Sequence, residues 1–192
     1  MRIGIVCYPT VGGSGVVATE MALALAQRGH DVHLLSYDRP GRLRRGVPGL
    51  RFHHVQVSAY PLFRYPPYDL ALATRMIEVR EEADIDVFHV HYAIPHAVSA
   101  FLARSMCGDD RCMPFVTTLH GTDITVVGSD RAYMRPTRFA LEQSNAKRAA
   151  PACTTASPTH APTICATWCA GRSPTGCSIR CAVCRWCPMQ AA

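Results

Sequence analysis

Ile3-Gly4-Ile5-Val6-Cys7-Tyr8-Pro9-Thr10-Val11-Gly12-Gly13-Ser14-Gly15 is the stretch that decides the fold. Its first five residues are uncharged and largely β-branched, which suits a strand buried on both faces. Pro9 and the glycines that follow end the strand, and Val16–Gln27 then has the length and composition of a helix, with Gly29 placed as its C-cap. Asp31–Ser36 reads as a second strand. Strand, glycine-rich turn, helix and strand together make a βαβ unit, whose two strands run parallel.

The pattern repeats downstream. Arg51–Val57 alternates as a strand near a sheet edge, and the proline-rich Tyr60–Tyr68 reads as a loop because proline cannot donate to a β-ladder. Asp69 is expected to cap a helix reaching about Glu82, and Ile85–Val90 to form a strand. Pro95 suits the first turn of a helix ending about Met106, followed by a strand Phe115–Leu119 and a helix Arg135–Ser144. The expected fold class is α/β: a Rossmann-like, doubly wound, mostly parallel sheet occupying residues 1–145.

Charge does not point to nucleic acid. The net charge is +6, but residues 1–145 hold fifteen arginines against all fourteen acidic residues, so the domain is nearly neutral. No apolar run approaches the roughly 20 residues that span a bilayer, and Ile3–Cys7 is too short for a signal-peptide core, so a cytoplasmic protein without a membrane partner is expected. Only Cys7, Cys107 and Cys112 precede residue 146, which excludes a disulfide-dense secreted scaffold for that part. The single lysine, Lys147, against nineteen arginines suggests GC-rich coding DNA.

After Asn145 the composition changes. Residues 146–192 hold seven cysteines, eleven alanines, six threonines and five prolines, and no Leu, Phe, Tyr, Asp or Glu. Such a segment lacks the apolar residues to offset its ordering entropy, and it is expected to be disordered or poorly folded.

Three polar clusters follow three expected strands: Gly12-Gly13-Ser14-Gly15, His89-Val90-His91-Tyr92 and Leu119-His120-Gly121-Thr122-Asp123. In open α/β sheets ligands bind beyond the carboxyl ends of strands, so the three clusters should converge on one crevice. The glycine loop can offer backbone N–H groups to an anion at a helix N-terminus, though a tight structural turn needs the same residues. His120 lies in a turn and reads as functional, whereas His89 reads as a core-facing strand residue. A metal site built from His89, His91, His96 and His120 lacks a Cys or carboxylate to complete a ligand set, and none is expected.

Residues 3–145 also resemble the N-terminal half of the retaining, family 4 glycosyltransferases of GT-B architecture, in particular the branch that serves bacillithiol synthesis. The segments that carry the resemblance are Cys7–Gly15, Tyr60–Ala71, His89–Ala97 and Thr117–Thr125, extended by Arg138–Ser144. The resemblance implies an enzyme in two halves, this one holding the acceptor, L-malate, and a second Rossmann-like half holding UDP-N-acetylglucosamine as donor substrate. It implies transfer with retention and without a metal or other cofactor, the donor's own phosphate taking the proton of the incoming hydroxyl. On that pattern Gly13, Ser14 and Gly15 would give N–H donors to anionic groups, and His120 would line the sugar site as the catalytic residue. Tyr92, Thr118, Thr122 and Arg138 would contact the acceptor. An arginine suits a malate carboxylate because its guanidinium binds it bidentately, although Arg138 can equally be an exposed helical arginine.

The family pattern stops near Ser144, and no donor half can be read beyond it. The tail then reads as out-of-frame translation of GC-rich DNA from about Asn145, ended by a chance stop after Ala192. A zinc module fused to a Rossmann-like binding domain is the alternative, from Cys165-x3-Cys169 and Cys177-x3-Cys181-x2-Cys184-x2-Cys187. The frameshift reading makes this chain a truncated transferase that is inactive alone. Oligomeric state is not legible in the sequence.

Overall fold

The structure, a computed structural model, describes residues 1–107 and 113–149. It is built from β1 (Arg2–Val6), α1 (Ser14–Gln27), β2 (Asp31–Ser36), β3 (Leu50–His54), α2 (Tyr68–Ala83), β4 (Val87–His91), α3 (Val98–Met106), β5 (Phe115–Leu119), α4 (Arg131–Gln143) and β6 (Ala146–Ala149). The six strands form one sheet in the order β3-β2-β1-β4-β5-β6, and every neighbouring pair is parallel. The chain winds outward from β1 to one edge and then from β4 to the other, so the switch point lies between β1 and β4. This is the doubly wound α/β sheet the sequence implies.

Side-chain alternation along the strands explains the two cores. Ile3, Ile5 and Cys7 point to one face with Val32 and Leu34, where Ala18, Ala22 and Ala26 of α1 cover them. Val6, Leu35, Phe88, Val90 and Phe115 point to the other, under Leu72, Met76 and Val79 of α2 and Ala100 and Ala103 of α3. Complete burial of a side chain such as Phe88 contributes about 1.5–3 kcal/mol. Gly4 belongs to the same packing: a Cβ there would run into the Phe88 ring.

Four local expectations need correction, and one turn is new. Asp69 does not cap α2; the helix begins one residue earlier, Pro67 holds the cap position, and Asp69 lies in the first turn with no capping bond. The helix expected from Pro95 begins at Val98, because Ile94 is extended (φ −119°, ψ 130°) and residues 93–97 form a wide turn instead. α4 starts four residues before the expected Arg135: Asp130 accepts the Ala132 N–H and caps it, and Pro136 is accommodated inside the helix. Residues 123–127 form a second wide turn that the sequence did not suggest. The sheet also runs past residue 145, since β6 pairs with β5 over Ala146–Ala149. The expectations of disorder, frameshift or a zinc module for the rest of the tail concern residues 150–192, outside the described residues.

Candidate active site

The crevice lies at the carboxyl ends of β1, β4 and β5. From β1 the chain enters the glycine loop, where Gly13 (φ +56°, ψ −122°) holds the cap position of α1 in a conformation that side chains rarely adopt. Gly15 is required for another reason. A Cβ there would lie 2.6 Å from Thr10 Oγ1 and 2.8 Å from the Tyr8 carbonyl oxygen. Its N–H donates to Thr10 Oγ1 at 3.2 Å, so that donor is used within the chain. Ser14 is buried beside it, and a side chain at Gly12 or Gly13 would enter open space.

β4 ends in His91 and Tyr92, and β5 ends before His120. Tyr92 has φ +81°, rare for a residue with a side chain, and its N–H donates to the Thr118 carbonyl at 3.0 Å. This turn lays the Tyr92 ring on that of His120, with centroids 4.8 Å apart and planes at 28°. The Thr122 hydroxyl donates to the Tyr92 hydroxyl at 3.1 Å. Behind this wall stands a row of histidines. His91 Nδ1 is 3.0 Å from His120 Nε2, and His89 Nε2 is 2.6 Å from Thr118 Oγ1. The β1 side joins through Tyr8, which meets the Tyr92 ring edge-on at 5.2 Å and the His96 ring at 4.5 Å.

Burial keeps these rings neutral. It lowers the His91 pKa to about 2, helped by repulsion from His89, His120 and His96, and lowers that of His96 to about 4. His120 shifts down for the same reason. The His96 Nδ1 faces the His91 carbonyl oxygen, which can only accept, so Nδ1 carries the hydrogen. Its Nε2 is then a bare lone pair, buried with no partner among the described residues. Burial likewise pushes the Tyr8 hydroxyl up to about 12.

The structure thus brings Tyr92, Thr118, Thr122 and His120 together, with Gly13, Ser14 and Gly15 across the switch point. Arg138 stands apart. Its side chain is 55% exposed and its Nε donates to Glu142 Oε1 at 3.3 Å, one helical turn along α4. Leu141, three residues on, packs against Ala93 and Leu119, so α4 borders the crevice without Arg138 being shown inside it. Among the described residues no group of three or more His, Cys, Asp or Glu side chains is arranged to hold a metal ion. No helix there is long and apolar enough to cross a membrane.

Sequence reasoning gave no role in the site to Tyr8, His96 or Asp123, although Asp123 ends the third polar cluster. Asp123 is 1% exposed, and its carboxylate accepts the Ala93 N–H at 3.0 Å and the His120 N–H at 2.8 Å. Burial pushes its pKa up to about 6, against the lowering effect of those two donors. The only signal in the sequence was its place three residues after His120.

Residues 11–169 match the family described as Glycosyltransferase Family 4. The N-acetyl-alpha-D-glucosaminyl L-malate synthase of Bacillus anthracis is 53% identical over 145 residues, which cover 76% of this chain and 38% of that protein. The chain therefore spans well under half the length of this relative. Among solved structures, a sucrose-phosphate synthase from Thermosynechococcus elongatus superposes with a TM-score of 0.53 at 13% identity, covering 77% of this chain and 41% of that one. A glycosyltransferase from Rickettsia africae superposes with a TM-score of 0.52 at 20% identity, covering 77% and 36%. Both show the fold alone, and it is the sequence matches that assign this chain to glycosyltransferase family 4.

Proposed function

We propose that this chain supplies the acceptor-side half of an enzyme that moves N-acetylglucosamine from UDP-N-acetylglucosamine to L-malate with retention. The observation that carries the reading is the wall of Tyr92 stacked on His120 at the switch point, in a chain 53% identical over 145 residues to a protein named for that product. On this reading His120 lines the donor sugar, and Tyr92, Thr118 and Thr122 meet the acceptor. The N–H groups of Gly13 and Ser14, at the start of α1, would face an anionic group. Arg138 reaches malate by releasing Glu142. The reaction uses no cofactor, and the tail after Asn145 is a frameshifted product.

The same reading makes the 192-residue chain inactive alone. The described residues make one Rossmann-like half, and the proposed transfer needs a second one to hold the donor. Transition-state binding needs both walls of the cleft. With UDP-N-acetylglucosamine and L-malate, the purified chain should release no UDP. A chain continued after residue 145 in the alternative reading frame should release it, and do so equally after EDTA treatment. Turnover by the 192-residue chain overturns the truncation. No turnover with L-malate by the continued chain, if it accepts another alcohol, overturns the acceptor.

A further inference from the structure

We propose that Asp123 is a positioning residue that sets the Tyr92–His120 wall, a role that concerns the sugar site only insofar as the functional reading above holds. The Asp123 carboxylate ties two strand ends together. Oδ1 accepts the Ala93 N–H at 3.0 Å, just after β4, and Oδ2 accepts the His120 N–H at 2.8 Å, just after β5. Each oxygen is committed to a different loop. No cation is paired with the carboxylate in the described contacts, so its position is set by backbone donors alone.

The consequence falls on Tyr92. Its φ of +81° is tolerated only if the surroundings over-determine it. Its own N–H is fixed by the Thr118 carbonyl, and the next N–H along the chain, that of Ala93, is fixed by Asp123. The peptide on each side of Tyr92 is therefore clamped, and from that backbone the ring lies on His120. The same carboxylate fixes the backbone of His120, whose ring receives both the Tyr92 stack and the 3.0 Å contact with His91 Nδ1. One buried group thus aligns both faces of the wall. Burial is consistent with that role: at 1% exposure, water does not compete for the two bonds.

The test uses Asp123→Asn and Asp123→Glu in the 192-residue chain, with ring-labelled histidine and tyrosine followed by NMR. An asparagine keeps the shape but presents one oxygen and one NH2, so it can accept one of the two N–H groups and must oppose the other. In the unsubstituted chain, ring contacts between Tyr92 and His120 and a single fixed tautomer at His91 and His120 are expected. In Asp123→Asn the ring contacts should fall at least several-fold and both tautomers should appear, with amide signals of β1 and β2 unchanged. Asp123→Glu, which keeps both acceptors, should restore part of the contact.

Ring contacts and tautomers unchanged in Asp123→Asn overturn the proposal. So does loss of the whole amide spectrum in both variants, which would make Asp123 a general stability residue. Adding UDP-N-acetylglucosamine or L-malate separates this proposal from the functional reading. If neither shifts the His120 or Tyr92 signals, the functional reading is weakened, while the variant comparison still decides the clamp.

Discussion

His91 Nδ1 and His120 Nε2 lie 3.0 Å apart between rings that stack at 5.2 Å, and a single hydrogen serves the pair. The two rings cannot both be protonated there. Replacing His120 with alanine would leave His91, 1% exposed, without its partner, whereas glutamine can still offer a donor and an acceptor. We expect His120→Ala to lose about 1–3 kcal/mol and His120→Gln less, read as urea midpoints. Equal losses from the two variants would mean that the contact contributes nothing beyond packing.

Stability should fall on mild acidification. His53, His91 and His96 have folded pKa values lowered to about 4, about 2 and about 4, mainly by burial, so the folded state binds fewer protons than the unfolded chain below about pH 6.5. Their stabilisation is complete above that pH and is lost as pH falls toward 4. Asp123 acts in the opposite sense. Its pKa is raised from 3.8 to about 6, so its contribution is present below pH 3.8 and lost as pH rises through 6. Three groups outweigh one, and the denaturant midpoint should be lower at pH 5 than at pH 7. A midpoint that rises toward pH 5 would show that these rings are not held neutral.

The glycine loop allows a sharp comparison. Gly15→Ala places a Cβ against Thr10 and the Tyr8 carbonyl, so the backbone must move, and about 1–3 kcal/mol should be lost. Gly12→Ala points into open space, and its cost should be a few tenths of a kcal/mol at most. Thermal unfolding of the two variants checks this. If both are silent, the loop is more plastic than its close packing implies.

Much of this architecture was legible because periodicity and turn residues agree with tertiary context. β2 and β5 have the bounds read from sequence, since each is a short apolar run between clear breakers. Where one residue had two local meanings, the reading failed. The last helix was read from Arg135, but the Asp130 cap starts α4 at Arg131 and places Pro136 in its second turn. Pro95 resembled a helix start, but extended Ile94 precedes it. In the site, chemistry at strand ends pointed to His120, and the family resemblance to Tyr92, Thr118 and Thr122. The clamping role of Asp123 was not legible because one of its two partners, the Ala93 N–H, lies 30 residues away, which no local pattern records. Arg138 was named for its guanidinium, and its partner Glu142 stands one turn on in the same helix, a pairing the i,i+4 spacing allows.

β6 gives the last prediction. Ala146-Lys147-Arg148-Ala149 has no β-branched or aromatic residue, so propensity does not explain the strand. Asn145 supplies a reason. Its N–H donates to the Phe115 carbonyl at 2.9 Å, and its side-chain oxygen accepts the Phe115 N–H at 3.0 Å. Both backbone groups at the entry to β5 are thereby satisfied by one residue, and Val116 then pairs with Ala146 in parallel register. Asn145→Ala removes the acceptor for the Phe115 N–H and the anchor for the register together. A loss of about 1 kcal/mol is expected, or roughly 2–4 °C in the melting temperature for a chain of this size. Amide exchange in 146–149 should quicken more than in β1, because β6 is an edge strand paired on one side only, with β5. Asn145→Asp keeps an acceptor oxygen and should preserve both the register and most of the stability. If Asn145→Ala leaves exchange in 146–149 unchanged, the strand is held by backbone pairing alone, and the side chain of Asn145 has no part in extending the sheet.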